Sequence, residues 1–223
     1  ITLCRPGNYN AYTPDMGEEL VHALRAAAAD ESVYAAVVTG HGKVFCAGAE
    51  RDYLQGKLSR SGKALGEEEF IAGFTEEFAS LPILTVVAIN GSAAGIGITG
   101  MLAADIRIAA VNARLVLNFA ELGIMPGLGS TYFLPRLVGE SAAKELLIAR
   151  RQISGVTAAE IGLVSAALPA EEVLPRALEL ARAAAGCKPG LVGLIKRGIH
   201  AGSSTTLGEA LETERTLSKE VKR

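Results

Sequence analysis

Thr85-Val-Val-Ala-Ile-Asn-Gly-Ser-Ala-Ala-Gly-Ile-Gly-Ile-Thr-Gly100 is the stretch on which the fold turns. Its first five residues are apolar and mostly β-branched, which predicts a strand covered on both faces. Asn90-Gly91 predicts a turn, and the small residues after it lead into a glycine-punctuated helix over 95–104. The span 78–104 carries no charge, and Gly91 and Gly95 have GxxxG spacing. Pro82, Asn90 and the glycines nevertheless break it into strand, turn and short helix, so a membrane span is rejected. Gly95-Ile-Gly-Ile-Thr-Gly100 also matches the GxGxxG of dinucleotide-binding turns. A dinucleotide site needs that motif directly after a strand and an acid about 20 residues on. Residues 90–94 intervene and 113–119 hold no acid, so this reading is rejected too.

Outward from this stretch, Thr13-Pro14-Asp15 opens a helix to about residue 30, with Leu20, Val21, Leu24 and Ala28 at helical spacing. Residues 35–39 are a short apolar strand ending at Gly40, and 42–66 predict a long loop with at most one helical turn. Phe70, Phe74 and Phe78 predict a core stripe on a helix over 67–80. Two more strands are predicted at 106–111 and 115–117, and from Gly129 onward the reading is almost wholly helical: 141–149, 157–162, 171–185, 191–200 and 207–222. Strands first and helices afterwards predict an α/β core, residues 1–140, with a C-terminal helical extension, residues 141–223. Lys plus Arg (22) balance Asp plus Glu (24), which argues against nucleic acid and anionic membranes as partners. Cys4, Cys46 and Cys187 form no CxxC pair, which points to a reducing, cytoplasmic setting with no metal site.

Chemistry concentrates in three ordered segments: Val44-Phe-Cys-Ala-Gly-Ala49, Ala88-Ile-Asn-Gly-Ser-Ala-Ala-Gly-Ile-Gly97 and Leu122-Gly-Ile-Met-Pro-Gly127. Each puts small residues after a strand or at a helix start, where unpaired backbone N–H groups can be approached closely. If 95–104 is a helix, the Ile96 N–H lies at its positive end, and the Ala49 N–H completes an oxyanion hole.

These segments, with Leu134-Pro-Arg-Leu-Val-Gly139 behind them, resemble the crotonase (enoyl-CoA hydratase/isomerase) superfamily over essentially the whole chain. The resemblance implies a spiral of ββα units, a homotrimer or hexamer assembled through residues 141–223, and a thioester carbonyl held by the N–H groups of Ala49 and Ile96. It implies an acyl-CoA or acyl-carrier-protein substrate and no cofactor beyond the coenzyme A or phosphopantetheine of that substrate, with Arg51, Lys57 or Arg60 available to a CoA phosphate. Ala47, Gly48, Gly97, Thr99, Phe119, Glu121 and Gly127 then fall at substrate-binding positions. Thr99 and Phe119 occupy the places of the two hydratase glutamates, and Gly127 that of an isomerase glutamate. The chain thus departs from both patterns, and Glu121 is the nearest substitute base. Tyr53, Lys57 and His200 resemble the decarboxylating members that act in polyketide β-branching, with His200 displaced from the usual place. Decarboxylation of a glutaconyl-type thioester needs no base to form the enolate, and it is the leading expectation. Hydration or isomerisation through Glu121, and a non-catalytic binding protein, stand beside it.

Overall fold

The β-branched runs around Val37 and Val86 pair as neighbouring parallel strands, with Val37 opposite Val86, and the rest of the fold is laid on this pair. The computed structural model describes residues 1–221. Its strands are β1 (Thr2–Leu3), β2 (Ala35–Gly40), β3 (Val44–Cys46), β4 (Leu84–Ile89), β5 (Ser92–Ala94), β6 (Ile106–Ala110), β7 (Arg114–Val116), β8 (Ile153–Ser154) and β9 (Ala166–Leu168). The helices are α1 (Pro14–Ala29), α2 (Arg51–Leu54), α3 (Glu69–Ala72), α4 (Phe74–Ser80), α5 (Ile96–Thr99), α6 (Phe119–Leu122), α7 (Ser130–Leu147), α8 (Gly155–Glu160), α9 (Ala170–Ala185), α10 (Leu191–Gly202) and α11 (Leu207–Glu220).

A five-stranded parallel sheet has the order β1-β2-β4-β6-β9, and a four-stranded sheet the order β3-β5-β7-β8. Each central strand of the large sheet is followed by one of the small sheet and then by helix: β2–β3–α2, β4–β5–α5, β6–β7–α6. This is the α/β spiral of ββα units. Because β3, β5 and β7 are parallel neighbours, the chain leaves all three at the same end of the small sheet, so the segments that follow them gather in one place.

Local chemistry explains the element starts. Thr13 caps α1 by accepting the Met16 N–H at 3.1 Å, and Pro14 holds the first helical position. Thr206 and Glu209 form a reciprocal capping box at α11. Phe70, Phe74 and Phe78 are all buried to within 2 % of full, and the Phe74 and Phe78 rings stack at 5.9 Å, as the core stripe predicts. α10 is fastened to the core by Lys196, whose Nζ donates to Asp105 at 2.8 Å and to the Ile83 carbonyl at 3.0 Å.

Several boundaries differ from the sequence reading. The helix over 67–80 is two, α3 and α4, separated at Gly73. The helix over 95–104 is the single turn α5. Residues 130–139 are helical as well, with a break at Gly139 (φ 79°) inside α7. The C-terminal part is not purely helical: β8 and β9 complete the two sheets, so the sheets run past residue 140 and the outlying helices are α10 and α11. Strands of two and three residues are too short for any period to register. The predicted end of the last helix, Lys222, lies outside the described residues. Among the described residues no helix is long and apolar enough to cross a membrane.

Candidate active site

β3 and β5 are parallel neighbours, Cys46 lying opposite Ala93, so the chain leaves both strands in the same direction. Two glycines let these exits touch. Gly48 has φ +94°, and a Cβ there would sit 3.3 Å from the Ala94 carbonyl oxygen. A Cβ on Gly97 would lie 2.7 Å from Cys46 Cβ, so a side chain at either position would push the two turns apart.

Ala49 forms a bridge with Tyr12 in which Tyr12 N–H donates to the Gly48 carbonyl (2.7 Å) and Glu50 N–H to the Tyr12 carbonyl (2.9 Å). That pattern leaves the Ala49 N–H out of the pairing. Ile96 is the first residue of α5, where an N–H has no partner within its own helix, while the preceding Gly95 N–H is used by the Val116 carbonyl at 2.9 Å. Ala49 and Ile96 both line one cavity of about 250 Å³. Two unpaired amides on one enclosed surface are the elements of an oxyanion hole.

The rest of the cavity is apolar, with Leu54, Leu65, Ile71, Phe119 and Leu128 among its walls, and no ionisable side chain lines it. Thr99 and Asn118 supply its only side-chain oxygen and nitrogen atoms. Burial raises the Cys46 thiol above its ordinary range, outweighing nearby N–H donors and Arg5, so the sulfur beside the hole is a poor nucleophile. Among the described residues no cluster of His, Cys, Asp and Glu could hold a metal ion.

Two carboxylates directly adjoin lining residues in sequence, Glu50 beside Ala49 and Glu121 beside Leu122. Glu50 is committed: Arg5 reaches it at 2.5 Å and the Asn8 amide at 3.2 Å. Burial opposes its ionisation, but these partners outweigh burial and hold its pKa below the usual carboxylate range. Glu121 stands on α6, which is one helical turn and not the extended segment that would put it on the face of Phe119. Among the described residues its only ion pair is a surface one, with Arg150 at 3.5 Å.

Of the residues singled out from the sequence, Ala47, Gly48, Ala49, Ile96, Thr99, Phe119 and Gly127 line this cavity, and Gly97 packs behind its wall. Tyr53, Lys57 and His200 do not. Tyr53 is buried and lines a groove of about 650 Å³ with Arg5, Asp15 and Arg60. Lys57 lies past the end of α2, over the Tyr53 ring at 5.0 Å and 3.5 Å from Asp52. His200 is exposed in a third groove of about 830 Å³ beside Tyr132 and Lys196. Both grooves are larger than the cavity, but neither contains Ala49 or Ile96, so the smaller space is the candidate site. The sequence reading passed over Leu54, Leu65 and Ile71, of which the first two are isolated apolar residues in an otherwise polar loop.

Comparison with known proteins places the whole chain in one family. The profile of the enoyl-CoA hydratase/isomerase family matches residues 1–223. The chain is 33% identical over 223 residues to 1,2-epoxyphenylacetyl-CoA isomerase of Escherichia coli, covering 98% of this chain and 84% of that protein. It is 33% identical over 217 residues to 2,3-dehydroadipyl-CoA hydratase of the same organism, covering 97% and 84%. The crystal structure of an enoyl-CoA hydratase from Bacillus anthracis superposes with a TM-score of 0.89 at 34% identity, over 99% of this chain and 85% of that one.

Proposed function

Because the chain belongs to the enoyl-CoA hydratase/isomerase family, we propose that it is an acyl-CoA enzyme that shifts a carbon–carbon double bond through a thioester enolate. The observation that carries this is the pair of free amides, Ala49 and Ile96, on one apolar cavity. The thioester oxygen accepts from both. As charge grows on it, donors in a water-poor surrounding stabilise the enolate more than the ground-state carbonyl, which is the condition for acceleration. The names of the relatives, an isomerase and a hydratase of CoA thioesters, support the substrate class.

Glu121 is the proton carrier in this reading. Releasing it from an exposed ion pair costs less than about 1 kcal/mol, whereas Glu50 is tied down by Arg5 and Asn8. A single carboxylate suffices to take a proton from C2 and return it at C4, with no atom gained or lost. Hydration asks for a second acid or base to activate water, and no ionisable side chain among the described residues lines the walls. Decarboxylation has less behind it, since Tyr53 and His200 line other grooves and Lys57 lies over the Tyr53 ring, whereas Glu121 adjoins the lining residue Leu122.

The test compares 3-enoyl-CoA isomerisation, crotonyl-CoA hydration and glutaconyl-CoA decarboxylation in one series. Isomerisation is expected to dominate and to fall about 10²- to 10⁴-fold in Glu121→Gln. Dominant hydration or decarboxylation, or an unaffected variant, would refute it. Self-association through the C-terminal helices, as a trimer or a dimer of trimers, fits the exposed Ile195, Ile199 and Leu207 and the lack of any buried residue in α10. Light scattering of the full chain reads the assembly directly.

A further inference from the structure

Thr99 is 1 % exposed and lines the cavity, yet its hydroxyl finds no hydrogen-bond partner. A buried unpaired hydroxyl is unusual, because it has given up water and received nothing. The residue stands one helical turn beyond Ile96, about 5 Å along the chain from the amide that holds the thioester oxygen. That separation puts it alongside the first carbons of an acyl chain. Asn118, the other hydrogen-bonding side chain of the wall, closes on the same space from the end of β7: its amide oxygen lies 3.4 Å from where a Cβ on Gly95 would stand.

We propose that Thr99 and Asn118 form a subsite for a neutral oxygen on the acyl group, at C5 or beyond, so that the preferred substrates are hydroxy- or oxo-substituted enoyl thioesters and not plain alkyl ones. Placing the oxygen past C4 follows from the reaction, since C2, C3 and C4 all belong to the migrating double bond. Neutrality follows from the walls: with no cation lining the cavity, a second carboxylate on the acyl chain would be buried unpaired, at a cost far above that of a hydroxyl. A hydroxyl supplies the partner that Thr99 lacks and one for Asn118 as well, whereas an alkyl group of the same size leaves the Thr99 hydroxyl unbonded. Sites built this way discriminate strongly against the analogue without the oxygen.

This subsite rests on the acyl-CoA reading above, and the experiment separates the two. Calorimetric titration of the full chain compares 5-hydroxypent-2-enoyl-CoA with the isosteric hex-2-enoyl-CoA. The hydroxylated thioester is expected to bind about tenfold tighter or more. Thr99→Val is expected to reduce that ratio to about twofold while raising the melting temperature of the free protein, since it removes the unpaired hydroxyl. Thr99→Ser is expected to keep the preference, and Asn118→Leu to weaken it independently should the valine variant not fold. Equal or tighter binding of hex-2-enoyl-CoA to the wild type overturns the subsite and leaves the acyl-CoA reading standing. Failure of both thioesters to bind overturns both.

Discussion

The Tyr12 hydroxyl donates to Glu68 at 2.5 Å, joining two buried side chains that lie 56 residues apart. The Tyr12 backbone also carries the bridge to Ala49, and Glu68 accepts the Gly66 N–H at 2.7 Å, between the cavity residues Leu65 and Ile71. One residue therefore holds the Ala49 segment with its main chain and, through Glu68, the stretch between Leu65 and Ile71 with its side chain. Tyr12→Phe is expected to destabilise the protein by about 1–3 kcal/mol, because Glu68 stays buried with one donor fewer. Urea denaturation at neutral pH measures this.

The same phenol gives stability a dependence on alkaline pH. Burial, reinforced by the bond to Glu68 and its charge, pushes the Tyr12 pKa far above its ordinary 10.0. A raised folded-state value means that the stability is complete below pH 10 and is lost as pH rises beyond it, where only the unfolded chain ionises. The slope is about 1.4 kcal/mol per pH unit for one proton. Denaturation at pH 8 and pH 11 should show a fall in the wild type that is smaller by about that amount in Tyr12→Phe. Equal falls would mean that the phenol is not shielded in the folded state.

Ile96→Pro deletes one of the two N–H donors at a position, the start of a helix, where proline is well tolerated. Turnover is expected to drop about 10²- to 10³-fold with the circular dichroism unchanged. A variant that folds and keeps its rate would show that the thioester oxygen is held elsewhere.

Lys196→Met cuts the main tie between α10 and the sheet. Lys196 and Asp105 are both mostly shielded from water, and Asp105 also receives the N–H and hydroxyl of Thr85 at 2.7 and 2.8 Å. Removing one partner of such a pair costs about 3–5 kcal/mol, because the carboxylate stays behind without its cation. Chemical denaturation gives the magnitude, and proteolysis sites between α9 and α10 would show where the chain loosens.

The strands with a continuous apolar run, β2, β4 and β6, could be read from residues alone because their burial on both faces is written in Val, Ile and Ala. β5 could not: Ser92-Ala-Ala94 has little intrinsic strand preference, and only β3 and β7 on either side make it a strand. β8 and β9 were hidden by their length. That Ala49 and Ile96 share one cavity was legible because both sit in glycine-flanked turns, a signature that belongs to the main chain. The side-chain assignments fared differently. Tyr53 and Lys57 are neighbours in space as their spacing implies, but which way α2 faces depends on packing against the N-terminal groove, which no local pattern encodes. Placing His200 needed the position of α10 on the core, fixed by Lys196 and Asp105 across a long stretch of sequence.

The pairing of β3 with β5 slips between Val44 and Cys46, two residues on one strand matching a single step from Ser92 to Ala93 on the other. Such an irregularity bends the strand that carries it. Here the bent strand is the one that delivers Ala49, so the aim of that amide is set by hydrogen-bond register and owes nothing to the identity of any reactive group. Acids and bases around the cavity can therefore be exchanged without moving the Ala49 amide. A scaffold of this kind keeps its grip on one intermediate while the fate of that intermediate stays open to change.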